Sequence, residues 1–125
     1  ELNSETDFVA RNEQFRELAH ELALHIAAMA PRYLTPEDVP QAELDRELDV
    51  LKAQALAEGK PEAIVEKIVS GRVKKFYEEI CLMEKPFVKD DKITIKDMIT
   101  GAIRTTGENI VVRRFARYEL GEALD

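Results

Sequence analysis

The side chains with the most chemistry to offer are few and scattered. His20 and His25 stand five residues apart, which on a helix puts them about 140° apart around the axis, too far round to share one metal ion. Both read as ordinary surface or rim histidines. Cys81 adjoins Ile80 and Leu82 at a helix end, with no basic residue arranged to lower its pKa, and reads as a buried, inert thiol. A hydrolase pairing Cys81 with His25 would need a third orienting group and a loop motif, and the sequence offers neither. The sequence contains no G-x-x-x-x-G-K-[ST] and no G-x-G-x-x-G to cradle phosphate. Most carboxylates fall on solvated helical faces rather than in acid/base pairs. The basic cluster Arg72, Lys74 and Lys75 is balanced by Glu78 and Glu79, and Arg113, Arg114 and Arg117 form a second small cluster. Either could meet an acidic protein. Binding, not bond-making, is the chemistry these residues support.

The elements that would position them are mostly helical. Glu1 to Asn3 reads as the end of a strand. Ser4-Glu5-Thr6-Asp7 is a helix start, with Ser4 or Thr6 able to cap and Asp7 suited to the positive end of the dipole. Phe15, Leu18, Ala19, Leu22, Ile26 and Met29 then form one helical stripe, stopped by Pro31. Leu24, Ala27 and Ala28 add a second apolar face, so this helix is either sandwiched in a core or offers one side to a partner. Arg32 to Pro40 is a connector. Gln41 to Glu58 is amphipathic through Leu44, Leu48, Leu51 and Ala55. Gly59 ends it and Pro61 starts the next helix, so the two form an antiparallel hairpin. The second arm runs from about Pro61 to Leu82 with Val65, Val69, Val73, Phe76 and Ile80 as its buried stripe. Its Gly71 suggests a close approach by another helix. Pro86-Phe87-Val88 leads into a polar turn at Lys89-Asp90-Asp91-Lys92. Thr94 to Thr106 is a short helix with a capping box from Thr94 and Asp97, closed by Gly107. Asn109 to Leu120 is the one convincing strand, with Ile110, Val112, Ala116, Tyr118 and Leu120 on one face and Arg114 breaking the alternation. Such a strand needs partners for its backbone groups. The stub at Glu1 and Leu2 is one candidate, and strands upstream of residue 1 or from a second subunit are others.

Bulk composition bounds the rest. The 125 residues fit one compact domain, and 45% hydrophobic residues supply a real core. The 34% charged fraction suggests long exposed helical surface. With 18 basic and 25 acidic residues, the net charge of −7 repels a nucleic-acid backbone, so a protein partner is expected and direct nucleic-acid binding is not. One cysteine cannot form an internal disulfide and fits a reducing compartment. No run reaches the roughly 18 apolar residues of a membrane span, and no secretory signal is visible.

From pattern alone, Asp7 is a helix-start carboxylate and Phe8 a core residue. The surrounding segment changes that reading. Ser4-Glu5-Thr6-Asp7-Phe8-Val9-Ala10-Arg11-Asn12 resembles the signature of the elongation factor Ts family, whose core is Thr-Asp-Phe-Val-Ala-[Arg/Lys]. The resemblance continues in order through Leu24-His25-Ile26-Ala27-Ala28 with Pro31, Gly59-Lys60-Pro61 and Ile64-Val65-Glu66-Lys67-Ile68-Val69-Ser70-Gly71-Arg72. It ends with Lys85-Pro86-Phe87-Val88 and Gly107-Glu108-Asn109-Ile110-Val111-Val112-Arg113-Arg114-Phe115. Six collinear blocks covering nearly the whole chain make the resemblance specific, although Ser4 stands where the family often has Cys.

The resemblance implies an α+β fold, with a small antiparallel sheet flanked by helices and a protruding antiparallel helical hairpin. It implies a cytoplasmic translation protein, bacterial or organellar, that binds elongation factor Tu and promotes GDP release without a catalytic site or cofactor. The Asp7–Phe8 pair would reach the magnesium and phosphate region of that GTPase, the ring acting as a wedge, and His25 would contact another domain. Arg11, Asn12 and Met29 complete the expected partner-binding set. Residues 1–125 correspond to the core, or dimerisation, domain, without the family's N-terminal helical module and the strands that usually precede the signature. Such single-core forms are expected to pair as homodimers. The alternative is a purely structural dimerisation module with no exchange activity of its own.

Overall fold

Short capping signals set most of the element ends. The computed structural model describes residues 1–124, arranged in chain order as β1 (Leu2–Asn3), α1 (Asp7–Ala10), α2 (Glu13–Met29), α3 (Gln41–Ala57), α4 (Glu62–Ile80), β2 (Pro86–Phe87), β3 (Asp90–Thr94), α5 (Ile95–Thr106) and β4 (Val111–Val112). Thr6 caps α1, and the Asn12 side chain accepts from the Gln14 N–H at 2.8 Å to start α2. The capping box of α5 forms as the sequence predicts: Thr94 Oγ1 accepts from the Asp97 N–H at 3.1 Å, and Asp97 Oδ2 accepts from the Thr94 N–H at 3.0 Å. Gly107, at φ 73°, ends the helix in the left-handed conformation that glycine adopts without steric cost. The fold is α+β, with two small antiparallel sheets and surrounding helices.

Contacts divide the chain into two compact units, one made of Glu1–Pro31 with the chain from Pro86 onward, the other of Arg32–Lys85. In the first, β1 pairs with β4 (Leu2 opposite Val112, Asn3 opposite Val111), and β2 pairs with β3 across an irregular register. Its interior holds Phe15, Leu22, His25, Phe87, Ile95, Ile99, Ile110 and Val112. In the second, α3 and α4 form the expected hairpin, turning at Gly59 with φ 80°. Leu51, Ala55, Val65 and Val69 close its seam, with Leu48, Ile68 and Val73 packed against them. The base of that hairpin is tied by main-chain bonds: Arg32 and Tyr33 N–H groups donate to Ile80 O, and Leu82 N–H donates to Tyr33 O at 2.8 Å. Tyr33 also donates its hydroxyl to Glu43, which pairs with Arg32.

Three local readings are corrected. The strand expected over Asn109–Leu120 is reduced to Val111–Val112. Backbone groups further on have no ladder to join among the described residues, although the Arg113 N–H still reaches Glu1 O at 3.0 Å. β-Propensity selects residues that fit a pleated surface but cannot supply the neighbouring strand. The segment read as a lead and polar turn, Pro86 to Lys92, is instead a hairpin, β2–β3, whose charged residues hid its strand character. No helix approaches Gly71 among the described residues: a Cβ built there would meet nothing within 4 Å.

Candidate functional site

α1 is a single helical turn set off from α2. Its N–H donors lack intrahelical partners by construction, because every helix leaves its first turn unsatisfied. Here Thr6 Oγ1 accepts from the Val9 N–H at 3.3 Å, and Ser4 Oγ donates to Thr6 O at 2.9 Å. Arg11 closes the turn through its N–H to Asp7 O at 3.0 Å. Asn12 then opens α2, so the break between the two helices falls on Arg11 and Asn12. The sequence pattern alone made Phe8 a core residue, but its ring lies 83% exposed. Asp7, Arg11 and Asn12 are exposed beside it. Asp7 and Arg11 approach to 3.7 Å, one turn apart, and both are so well solvated that the pair contributes little to stability.

A carboxylate that the sequence reading passed over sits behind this turn. Glu108 Oε1 accepts from the N–H groups of Glu5 and Thr6 at 3.2 and 3.0 Å, and its Oε2 accepts from the Thr6 hydroxyl at 2.6 Å. The exchange is reciprocal, because Glu5 Oε1 accepts from the Asn109 N–H at 3.1 Å. Its position beside the helix-ending Gly107 was readable, but nothing in the sequence tied it to residues 5 and 6.

His25 is corrected from the rim to the interior, where it is fully buried. Its Nδ1 accepts from the Val88 N–H at 3.1 Å, and its ring lies 6.0 Å from that of Phe87. Lys89 adds an ion pair to Glu21 at 2.8 Å, so the β2–β3 turn is held against α2 at two points. Met29, at the far end of α2, is 41% exposed. Some 18 Å of helical rise separates the start of α2 from His25. The structure therefore groups Asp7, Phe8, Arg11 and Asn12 at one end of α2 and places His25 and Met29 toward the other.

The one cysteine is poorly placed for nucleophilic chemistry. Cys81 is fully buried, and burial pushes its thiol up to about 11, with Glu84, Asp38 and Glu37 adding to the rise. Among the described residues no group of three or more His, Cys, Asp or Glu could hold a metal ion. Nor is any helix among them long and apolar enough to cross a membrane. The second apolar face of α2 is left partly open. Leu24, Ala27 and Ala28 are exposed there, while on the first stripe Leu22 and Ile26 line a groove of about 370 Å³ with Leu2, Val112, Phe115 and Tyr118. At the start of α2 the prominent apolar feature is the exposed aromatic ring of Phe8 on a capped turn.

Comparison with known proteins adds to this picture. A sequence model of the family described as "Elongation factor TS" matches residues 16–122. The chain is 55% identical over its full length to elongation factor Ts of Alkaliphilus oremlandii, covering 58% of that protein. It is 56% identical over 99% of its length to the same factor from Moorella thermoacetica, covering 61% of it. The factor from Desulfitobacterium hafniense is 54% identical over the whole chain, again with 58% of that protein covered. The chain thus spans about three fifths of the length of these relatives.

Proposed function

This chain belongs to the elongation factor Ts family, and from that footing we propose that it binds elongation factor Tu in the cytoplasm and promotes GDP release without chemistry of its own. A GTPase holds GDP through phosphate-loop N–H groups and Mg²⁺. A protein that binds the nucleotide-free state better than the GDP-bound state weakens GDP binding by that same ratio of affinities. Contact alone is enough, provided that it distinguishes the two states.

The observation that carries this reading is the exposed ring of Phe8 on a side-chain-capped turn. An aromatic side chain is large and has few rotatable bonds, so it enters a crevice with little loss of freedom. Asp7, one residue earlier, brings a carboxylate that repels phosphate and competes for the donors around it. Arg11 and Asn12 flank the ring on the same end of α2, and Met29 offers a second, softer contact at the other end. His25 belongs to the proposed partner-binding set through the β2–β3 turn, which it holds to α2.

A stopped-flow measurement with fluorescent methylanthraniloyl-GDP on elongation factor Tu tests the proposal. Added chain should accelerate release, and excess GDP should weaken the chain's own binding by the factor by which the chain weakens GDP. A chain that binds both nucleotide states equally would refute the exchange role, because equal affinities shift nothing.

A second reading, homodimerisation, draws on a separate feature. Beyond β4 the chain has no regular secondary structure through Arg113–Glu119, and Tyr118 and Leu120 are almost wholly exposed. Sedimentation equilibrium reports whether copies pair. A stable dimer that leaves GDP release unchanged would favour a purely structural module.

A further inference from the structure

A one-turn helix does not hold its shape unaided, because nucleating the first turn is unfavourable. The four residues of α1 must therefore be fixed from outside. The bonds that hold the chain just before them, at Glu5 and the Thr6 cap, converge on Glu108. Its two oxygens take the N–H groups of Glu5 and Thr6 and the Thr6 hydroxyl. That last bond has a directional consequence. With its proton committed to Glu108, Thr6 Oγ1 turns a lone pair toward the Val9 N–H, so the carboxylate orients the cap as well as holding it. Glu108 is fixed in turn. Its own N–H donates to Thr106 Oγ1 at 3.2 Å, and the Thr106 hydroxyl donates to Ala102 O at 2.9 Å, which ties the carboxylate to the last turn of α5. Gly107 makes the bend that allows this. The return bond from the Asn109 N–H to Glu5 closes the loop.

Phe8 lies two residues beyond this clamp and takes its direction from the backbone there, since most of its own ring touches nothing in the chain. We propose that Glu108 is a positioning residue for the Phe8 contact: it fixes the pose in which the ring meets the GTPase, without touching the partner itself. The inference rests on the exchange reading above. A contact group must be held to a fraction of an ångström by neighbours that are themselves locked, and an exposed ring on an unclamped turn would sample many poses.

The test uses the whole chain with Glu108→Ala, Glu108→Gln, Phe8→Ala and the Glu108→Ala/Phe8→Ala double variant. Amide hydrogen exchange by NMR reports the turn, and methylanthraniloyl-GDP release from elongation factor Tu reports function. Glu108→Ala should speed exchange at Thr6 and Val9 at least tenfold while the central amides of α2 stay protected. It should slow stimulated GDP release about five- to tenfold. Glu108→Gln keeps a carbonyl oxygen for the two N–H donors and should restore most of both. In the Phe8→Ala background, Glu108→Ala should cost less than a further twofold, because the group it positions is gone. Full stimulation by Glu108→Ala alongside a defective Phe8→Ala overturns the clamp alone. So does an undiminished Glu108 effect in the double variant, which would place its action elsewhere. A silent Phe8→Ala overturns the wedge reading and the clamp's role with it. Should Glu108→Ala not fold, Glu108→Asp shortens the arm that reaches Glu5 and Thr6 while leaving the Thr6 cap itself in place, and carries the same expectations.

Discussion

On the exchange reading proposed above, replacing Phe8 by Ala should separate binding from folding, because the ring would contribute to them so unequally. Burying a Phe side chain relative to leaving it in water is worth about 1.5–3 kcal/mol. With 83% of its surface still available, about 1.2–2.5 kcal/mol of that can be realised only against a partner, a factor of roughly 8 to 70 in affinity. The small remainder already realised in the fold is offset by the better helix propensity of Ala, worth about 0.5 kcal/mol. Stability measured by urea unfolding should therefore change by less than about 0.5 kcal/mol, within the usual range for a surface substitution. Titration calorimetry against nucleotide-free elongation factor Tu should show the 8- to 70-fold loss. Two results would refute the reasoning. A drop in stability above about 1 kcal/mol would mean that the ring is packed in solution. An unchanged affinity with an intact fold would mean that the partner does not cover it.

Two further predictions concern the scaffold. Ala55 is fully buried in the α3–α4 seam, so Ala55→Leu should overpack it and cost about 1–3 kcal/mol by urea unfolding; an unshifted midpoint would show that the seam has slack. The Thr94 N–H and hydroxyl hold the Asp97 carboxyl below its usual value of 3.8. Its contribution to stability is therefore complete above the unfolded value and lost as pH falls through the lower folded value. Asp97→Asn should flatten the fall of stability with pH in that acid range, and equal slopes for the two proteins would count against the capping box as the cause.

Much of the helical scaffold was legible because its signals are local. Thr94 and Asp97 sit three apart, Gly107 follows the last periodic residue, and Gly59 and Pro61 bracket a turn, so each boundary is written within a few residues of itself. Ser4 and Thr6 were equally good caps on paper, and the choice between them depends on Glu108, which no local pattern connects to either. The strand ending at Leu120 failed for the converse reason: its residues have the right propensity, but a strand exists only where another pairs with it. β2–β3 was missed because Asp90, Asp91 and Lys92 lie on a solvated edge and carry no alternating pattern. His25 was misplaced because its helical position is adjacent to the apolar stripe, and only the β2–β3 turn folding over it decides that it is covered. The exposure of Asp7 and Phe8 was legible through the family signature, whereas periodicity alone pointed Phe8 inward.

The division of the chain has a bearing on how the protein is made. Arg32–Lys85 is contiguous, and its helical hairpin can close as soon as its own residues leave the ribosome. The other unit is split around it, and the bond from the Glu5 N–H to Glu108 joins residues 103 positions apart. The turn that bears Phe8 is therefore synthesised well before the carboxylate that secures it, 102 positions after Thr6. A nascent chain carries its aromatic tip across that whole interval without the carboxylate that anchors it, and the tip can take its final pose only once Glu108 has emerged.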